Sequence, residues 1–221
     1  EEIIIFQELQ IKLEELNNKT NLTRLINGDD YWISQVFDSI WPFKTFPNIN
    51  FDNKKFLDIG SGCGFPGLAY AITHPISEIY LIDSSKKKTD ALKSIIKEIN
   101  FQNTIHIIND RIENFAHQSS MRNNFNIATT RAVSNPSTVA EYILPMLKKE
   151  GIGVLYCGKW SAEDRKNLDK TLEILEGKFK EKKMIFLPRS KGTRNIILIH
   201  PKNLCPKTYP RKVGKPEKYP L

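Results

Sequence analysis

From residue 55 onward short β-rich runs alternate with helical patterns, a rhythm that fits a parallel sheet built from βα units. KFLDIG (55–60), EIYLID (78–83), TIHIIN (104–109), FNIATT (125–130) and GIGVLYC (151–157) read as five strands, with helices expected near 66–73, 86–99, 136–149 and 161–176. In the second helix Ala91, Leu92, Ile95, Ile96 and Ile99 make an apolar stripe opposite lysines, which assigns it to the core. The rhythm then breaks. KKMIFLP (182–188) and RNIILIH (194–200) are separated only by RSKGT, too short for a crossover helix, so they must pair as a hairpin. The expected fold is α/β, a doubly wound Rossmann-like sheet of seven strands ending in an antiparallel hairpin.

Residues 1–54 read as a helical cap: Ile5, Leu9, Leu13 and Leu16 recur at helical spacing, and YWISQVFDSIWPF supplies a second apolar segment. Residues 55–200 then form the sheet domain, and 201–221 a basic, Pro-rich tail expected to lie outside the fold. That tail carries six Lys and Arg residues against one acid, Glu217, and so holds +5 of the chain's net +8. Such a balance favours a polyanionic partner. With 40% hydrophobic and 26% charged residues the chain is neither disordered nor fibrous. No apolar run nears the ~18 residues of a membrane helix, and no signal peptide opens the chain, so we expect a cytoplasmic protein that makes no membrane contact. Its first residue, Glu1, leads us to expect further residues upstream. Cys63, Cys157 and Cys205 are widely spaced and read as reduced. The four histidines have no metal-ligand spacing, and no metal is expected.

The sharpest motif is LDIGSGCGFPG, directly after the first strand and before a helix, with Gly60, Gly62, Gly64 and Gly67. Glycines serve where backbone must turn tightly and approach a ligand. The spacing by itself fits both the dinucleotide fingerprint and the adenosylmethionine pattern. Asp83 ends the second strand where a carboxylate would accept from ribose hydroxyls, which both cofactors carry. Asp58 favours adenosylmethionine, because an upstream carboxylate suits an ammonium and a sulfonium and would repel a diphosphate. The hairpin ending points the same way by analogy of fold. A nicotinamide-dependent oxidoreductase and a noncatalytic RNA-binding module on the same fold remain the alternatives.

LDIGSGCGFPGL, IDSSKKKTDAL, DRIENF, TTRAV and RNIILIHP, with NKTNLT and FDSI upstream, resemble in order and spacing the glucose-inhibited division protein B (RsmG) family, over about residues 14–200. The resemblance implies an adenosylmethionine-dependent methyltransferase acting on N7 of a guanine in the decoding-region loop of 16S ribosomal RNA. Its partner would be that RNA or the small ribosomal subunit, and a monomer is expected. It further implies that Gly60 and its neighbours face the methionine part of the cofactor, with Phe65 lining the pocket. Asp83 with Ser84 would hold the ribose, and Ile112 and Glu113 the adenine end. Arg131 would stand between cofactor and target base, as both cofactor contact and catalytic candidate. Two positions depart from the family pattern: Gln35, where His is usual, and Cys157, where Lys is usual.

The residues permit that chemistry. No Asn/Asp-Pro-Pro-aromatic loop follows the fourth strand to orient an exocyclic amine, and Cys157 is in no activating context. Guanine N7 needs neither: its lone pair is already the nucleophile and bears no proton, so catalysis reduces to alignment. Lys86, Lys87 and Lys88, which open a helix against its dipole, are candidates for phosphate contact. Tyr209 and Tyr219 are candidates for base stacking.

Overall fold

Apolar residues at helical spacing start the chain as α1 (Glu2–Thr20), whose Phe6, Leu9 and Leu13 are buried. Asn21 closes it in the left-handed conformation. A second helical stretch runs through α2 (Gly28–Tyr31), a π-helical segment (Trp32–Phe37) and α3 (Asp38–Thr45). The sheet domain comes next in chain order: β1 (Lys55–Ile59), α4 (Gly67–Thr73), β2 (Glu78–Asp83), α5 (Lys86–Glu98), β3 (Thr104–Asn109), α6 (Ile112–Phe115), β4 (Phe125–Arg131), α7 (Pro136–Ile143), β5 (Leu147–Cys157), α8 (Ala162–Ile174), β6 (Gly177–Phe186), β7 (Thr193–Pro201) and, in the tail, α9 (Lys215–Lys218). This computed structural model describes residues 1–221 except Ala132 and the side chains of Lys19 and Thr20.

The seven strands lie in the order β3-β2-β1-β4-β5-β7-β6. The first five are parallel, and β7 is antiparallel to both β5 and β6. The expected fold class is therefore observed. The order of strands reverses between β1 and β4, the switch point outside which such sheets bind ligands. Both faces of the sheet are covered. Phe6, Leu9, Leu13, Tyr31, Phe43, Tyr70, Leu92 and Ile95 form one core, which joins the N-terminal helices to α4 and α5. Ile112, Phe115, Val139, Ile143, Leu168 and Leu172 form the other, under α6, α7 and α8. Each such side chain contributes about 1.5–3 kcal/mol by leaving water. No helix among the described residues is long and apolar enough to cross a membrane.

Three boundaries differ from expectation. The helix expected over 136–149 ends at Ile143 and tightens into a 3-10 turn at Leu144–Met146, because Pro145 has no N–H to continue it. The next three residues already belong to β5. The strand expected from 182 begins at Gly177. Its KFKEKK stretch is an edge strand with a bulge between Phe179 and Glu181, and charge masked its periodicity.

The tail is the substantive correction. It does not lie outside the fold but straps α6, α7 and α8. Carbonyls of Cys205, Pro206 and Tyr209 accept from the Arg122 guanidinium at 2.7–2.9 Å. Thr138 and Thr171 donate their hydroxyls to the carbonyls of Pro216 and Leu221 at 2.9 and 3.0 Å. Cys205, Pro210 and Pro216 are buried, whereas Leu204 and Tyr219 are exposed. Proline fixes φ and removes donors, so a Pro-rich chain reads as extended; its carbonyls nevertheless remain acceptors that a packed domain can use.

Candidate active site

At the C-terminal edge of the parallel strands, beside the switch point, lies a cavity of about 190 Å³. It is lined by Ile59 at the end of β1 and Gly60 after it, Ile82 and Asp83 at the end of β2 and Ser84 after it, Asp110, Arg111 and Ile112 after β3, Tyr142 of α7, and Glu217 of the tail. Val133 and Ser134 separate it from a second cavity of about 210 Å³ and line both. Thr130, Pro136, Val139, Tyr156, Cys157, Gly158 and Lys159 help to line that second cavity, at the ends of β4 and β5. The Thr130 hydroxyl is buried and has no hydrogen-bond partner among the described residues.

The glycine loop is built by its own hydrogen bonds. Gly60 and Ser61 both donate their N–H to the Ile82 carbonyl, at 2.8 and 3.0 Å, which ties the loop to the end of β2. Gly60 has φ +71°, and a Cβ there would stand 2.6 Å from Val133, across the cavity floor. Only glycine meets both demands. The Asp83 carboxylate accepts from Gly62 N–H at 3.0 Å and from Ser85 N–H at 2.8 Å, one bond to each oxygen. Each oxygen keeps a free lone pair, and the carboxylate lines the cavity.

Gly60, Asp83, Ser84 and Ile112 thus line the first cavity, while the other expected site residues take different places. Gly62 and Gly64 turn the loop, both at positive φ. Phe65 is buried, edge-on to Tyr31. Asp58 is fully buried behind the loop, where it accepts from Gly67 N–H at 2.9 Å and from the Thr129 hydroxyl at 3.2 Å. Glu113 lies behind the lining residues Arg111 and Tyr142, both of which bond to it. Arg111 donates to it at 3.0 and 3.2 Å, and Gly214 N–H of the tail at 3.0 Å. Burial works to raise its carboxyl, but these donors hold it below the usual value. Arg131 also turns from the cavities, donating to the Ser34 carbonyl at 2.9 Å, to Gln35 Oε1 and to Asp38 at 3.4 Å. Gln35 in turn donates to Thr23 at 3.1 Å and lies 3.4 Å from Cys63. The departure at position 35 is therefore a neutral partner for Arg131. At the other departure, burial pushes the Cys157 thiol up to about 12, which leaves no thiolate nucleophile.

Burial raises the Asp58 carboxyl from 3.8 to about 7, against the opposing pull of Gly67 N–H and Arg131. A carboxyl raised by folding stabilises the folded state fully below about pH 4, and that contribution is lost as pH rises through about 7. Between pH 5 and pH 8 the wild type should lose about 2–3 kcal/mol that Asp58→Asn does not lose. Denaturant unfolding at the two pH values checks this, and parallel pH profiles for the two proteins would refute it.

Sequence reasoning missed Asp110, Tyr142, Ser134 and Glu217 as lining residues. Asp110 stands one position after β3, where the alternation itself marks the ligand edge, and so was findable. For Glu217 and Tyr142 no local signal exists, because the fold brings them from the tail and from the helix after β4. Among the described residues no group of His, Cys, Asp and Glu is arranged to hold a metal.

Comparison with known proteins adds a family to this geometry. Residues 2–196 match the family model described as rRNA small subunit methyltransferase G. The chain is 88% identical over 221 residues to a ribosomal RNA small subunit methyltransferase G of Prochlorococcus marinus strain MIT 9312, covering all of this chain and 93% of the relative. It is 83% identical to the protein of that name in strain MIT 9215, with the same coverage. Among solved structures, magnesium protoporphyrin IX methyltransferase from Synechocystis with bound SAM superposes at TM-score 0.60 and 13% identity, over 87% of this chain and 97% of that one. At that identity the likeness speaks for the fold alone.

Proposed function

The chain belongs to the rRNA small subunit methyltransferase G family, and we propose that its two adjoining cavities hold adenosylmethionine and the guanine whose N7 receives the methyl group. It is an adenosylmethionine-dependent methyltransferase of 16S ribosomal RNA, and the guanine in the decoding-region loop is the acceptor that our reading adds. One observation carries the assignment of the cavities. They share Val133 and Ser134 at the C-terminal edge of the sheet, one opening onto the Asp83 carboxylate and the other onto the unpartnered Thr130 hydroxyl.

The residues fit the cofactor. Asp83 has two free acceptor sites for the ribose hydroxyls, and Gly60 leaves room where any side chain would meet Val133. Three carboxylates, Asp83, Asp110 and Glu217, outnumber the one cation, Arg111, around the first cavity, which favours a ligand of net positive charge and disfavours a diphosphate. Adenosylmethionine supplies the electrophilic methyl group when bound. In the second cavity Tyr156, Pro136 and Val139 exclude water and offer an apolar lining to a flat base. The Thr130 hydroxyl supports a base carrying polar edge groups, since a buried hydroxyl without a partner costs about 1–3 kcal/mol until a ligand satisfies it. Guanine N7 holds no proton, so these side chains orient and desolvate the base rather than deprotonate it.

Asp83→Ala removes the ribose acceptors, together worth about 1.5–3 kcal/mol, so adenosylmethionine affinity should fall roughly tenfold to a hundredfold. Calorimetric titration of both proteins tests it. Unchanged affinity in the variant would remove Asp83 from the site, and wild-type protein that binds the cofactor but fails to methylate 16S RNA would overturn the acceptor.

A further inference from the structure

Edge strands commonly carry lysines, which block pairing with other chains. Lys178, Lys180 and Lys182, all exposed along β6, fit that use. Blocking does not account for the apolar pair beyond them. Met184 is 51% exposed and Phe186 is 73% exposed, two large apolar residues at the end of an edge strand. Because β6 runs parallel to β5, that end lies at the same edge of the sheet as the two cavities.

Register fixes how near. Met184 is paired with Asn195 of β7, and Asn195 with Cys157 of β5, which lines the second cavity. Cross-strand partners point to one face, so Cys157, Asn195 and Met184 form a row across three strands. Two strand spacings of about 4.8 Å put Met184 about 10 Å from the cavity wall. Phe186 lies two residues further toward the catalytic edge. Asn195 spans the gap, donating its side-chain amide to the Gly158 carbonyl at 2.8 Å. Lys182 precedes this pair on the same face, and exposed Lys159 stands at the mouth of the second cavity. Among the described residues neither lysine is within ion-pair distance of a carboxylate, and the one acid within β6, Glu181, pairs with Lys183.

We propose that the end of β6 is a shelf for the RNA strand flanking the methylated base, with unpaired bases stacking on Phe186 and Met184 and phosphates meeting Lys182 and Lys159. The proposal rests on the assignment of the second cavity to the target base. A cavity that accepts one base requires its neighbours to be splayed from their own stack, and single strands are held by aromatic platforms among cations. An apolar pair set between lysines has that character. A second copy of this chain would meet like charges at Lys178, Lys180 and Lys182.

The test compares wild type with Phe186→Ala and Lys182→Glu, both at exposed positions. Loss of one stacked base should raise KM for 16S RNA by about 5- to 100-fold in Phe186→Ala. In Lys182→Glu the log–log salt slope of RNA binding should become shallower by about 0.7. Adenosylmethionine affinity and melting temperature should match wild type in both. Wild-type KM and salt slope in the two variants would overturn the shelf while leaving the cofactor site intact. A wild-type dimer that Phe186→Ala dissociates at unchanged RNA KM would instead make this face a contact between copies, and would also overturn it. Failure of the wild type to methylate 16S RNA would strike the acceptor assignment and not the shelf alone.

Discussion

Arg211→Ala is expected to lower the melting temperature by about 6–20 °C. Glu141 on α7 is fully buried, and among the described residues every hydrogen bond it accepts through its carboxylate comes from Arg211: backbone N–H at 2.8 Å, Nε at 2.9 and 3.1 Å, and Nη2 at 2.6 Å. Removing the guanidinium leaves a buried charge uncompensated, which costs about 3–5 kcal/mol, and each kcal/mol moves a domain of this size by about 2–4 °C. Replacing both partners together, as Arg211→Met with Glu141→Leu, should recover most of the loss, because apolar groups of similar volume carry no desolvation penalty. Truncation after residue 201 should destabilise at least as much as Arg211→Ala. It also deprives Arg122 and Glu113 of their tail partners and takes Glu217 from the cavity wall, so adenosylmethionine affinity should fall with it. Gly214, at φ +77°, makes the turn that brings Glu217 to that wall. Differential scanning fluorimetry with and without cofactor measures both effects. A truncated protein with wild-type melting temperature and a shallower salt slope for RNA would return the tail to the role of a free RNA-binding arm.

The second large effect concerns Arg131. Its side chain bridges the end of β4 to the cap, reaching Ser34, Gln35 and Asp38, with its guanidinium 5.9 Å above the Phe65 ring. Asp38 is fully buried and shared with Arg194, which donates to it at 2.7 Å. Arg131→Ala should therefore lower both properties at once: stability by about 1–3 kcal/mol, since Asp38 keeps Arg194, and methylation by about 100-fold as the glycine loop and cap lose their register. The TTRAV motif alone predicts that activity falls far more than folding. The bonds to the cap change that expectation, because a side chain so engaged acts through position. Arg131→Lys should recover part of the stability and less of the activity, for want of the planar fork. Tritiated methyl incorporation beside thermal melts decides it. Activity lost at wild-type stability would restore Arg131 to direct contact with the substrate.

Period and punctuation in the sequence settled most of the architecture. Alternation of runs such as EIYLID with the stripe of Leu92 and Ile95 requires a parallel sheet with helices on it, and five residues between the last two strands require a hairpin. That Gly60 and Asp83 line one cavity was legible because a tight loop and a carboxylate at a strand end are local signals, set within about 25 residues of each other. What stayed hidden travels further along the chain. Glu217 meets Arg111 and Tyr142 at one cavity, Arg211 meets Glu141 across 70 positions, and Arg131 meets Gln35 across 96. No periodicity encodes which of several free arginines or carboxylates will meet. Burial decides it, because a charge taken from water must find its counterpart wherever packing brings one within reach. The sequence by itself determined the order of elements, the glycine loop, the family and the cofactor. Only the tertiary structure decided that the basic tail is a wall of the domain, that Asp58 bonds to the glycine loop and Arg131 to the cap, and that an apolar pair stands exposed near the second cavity.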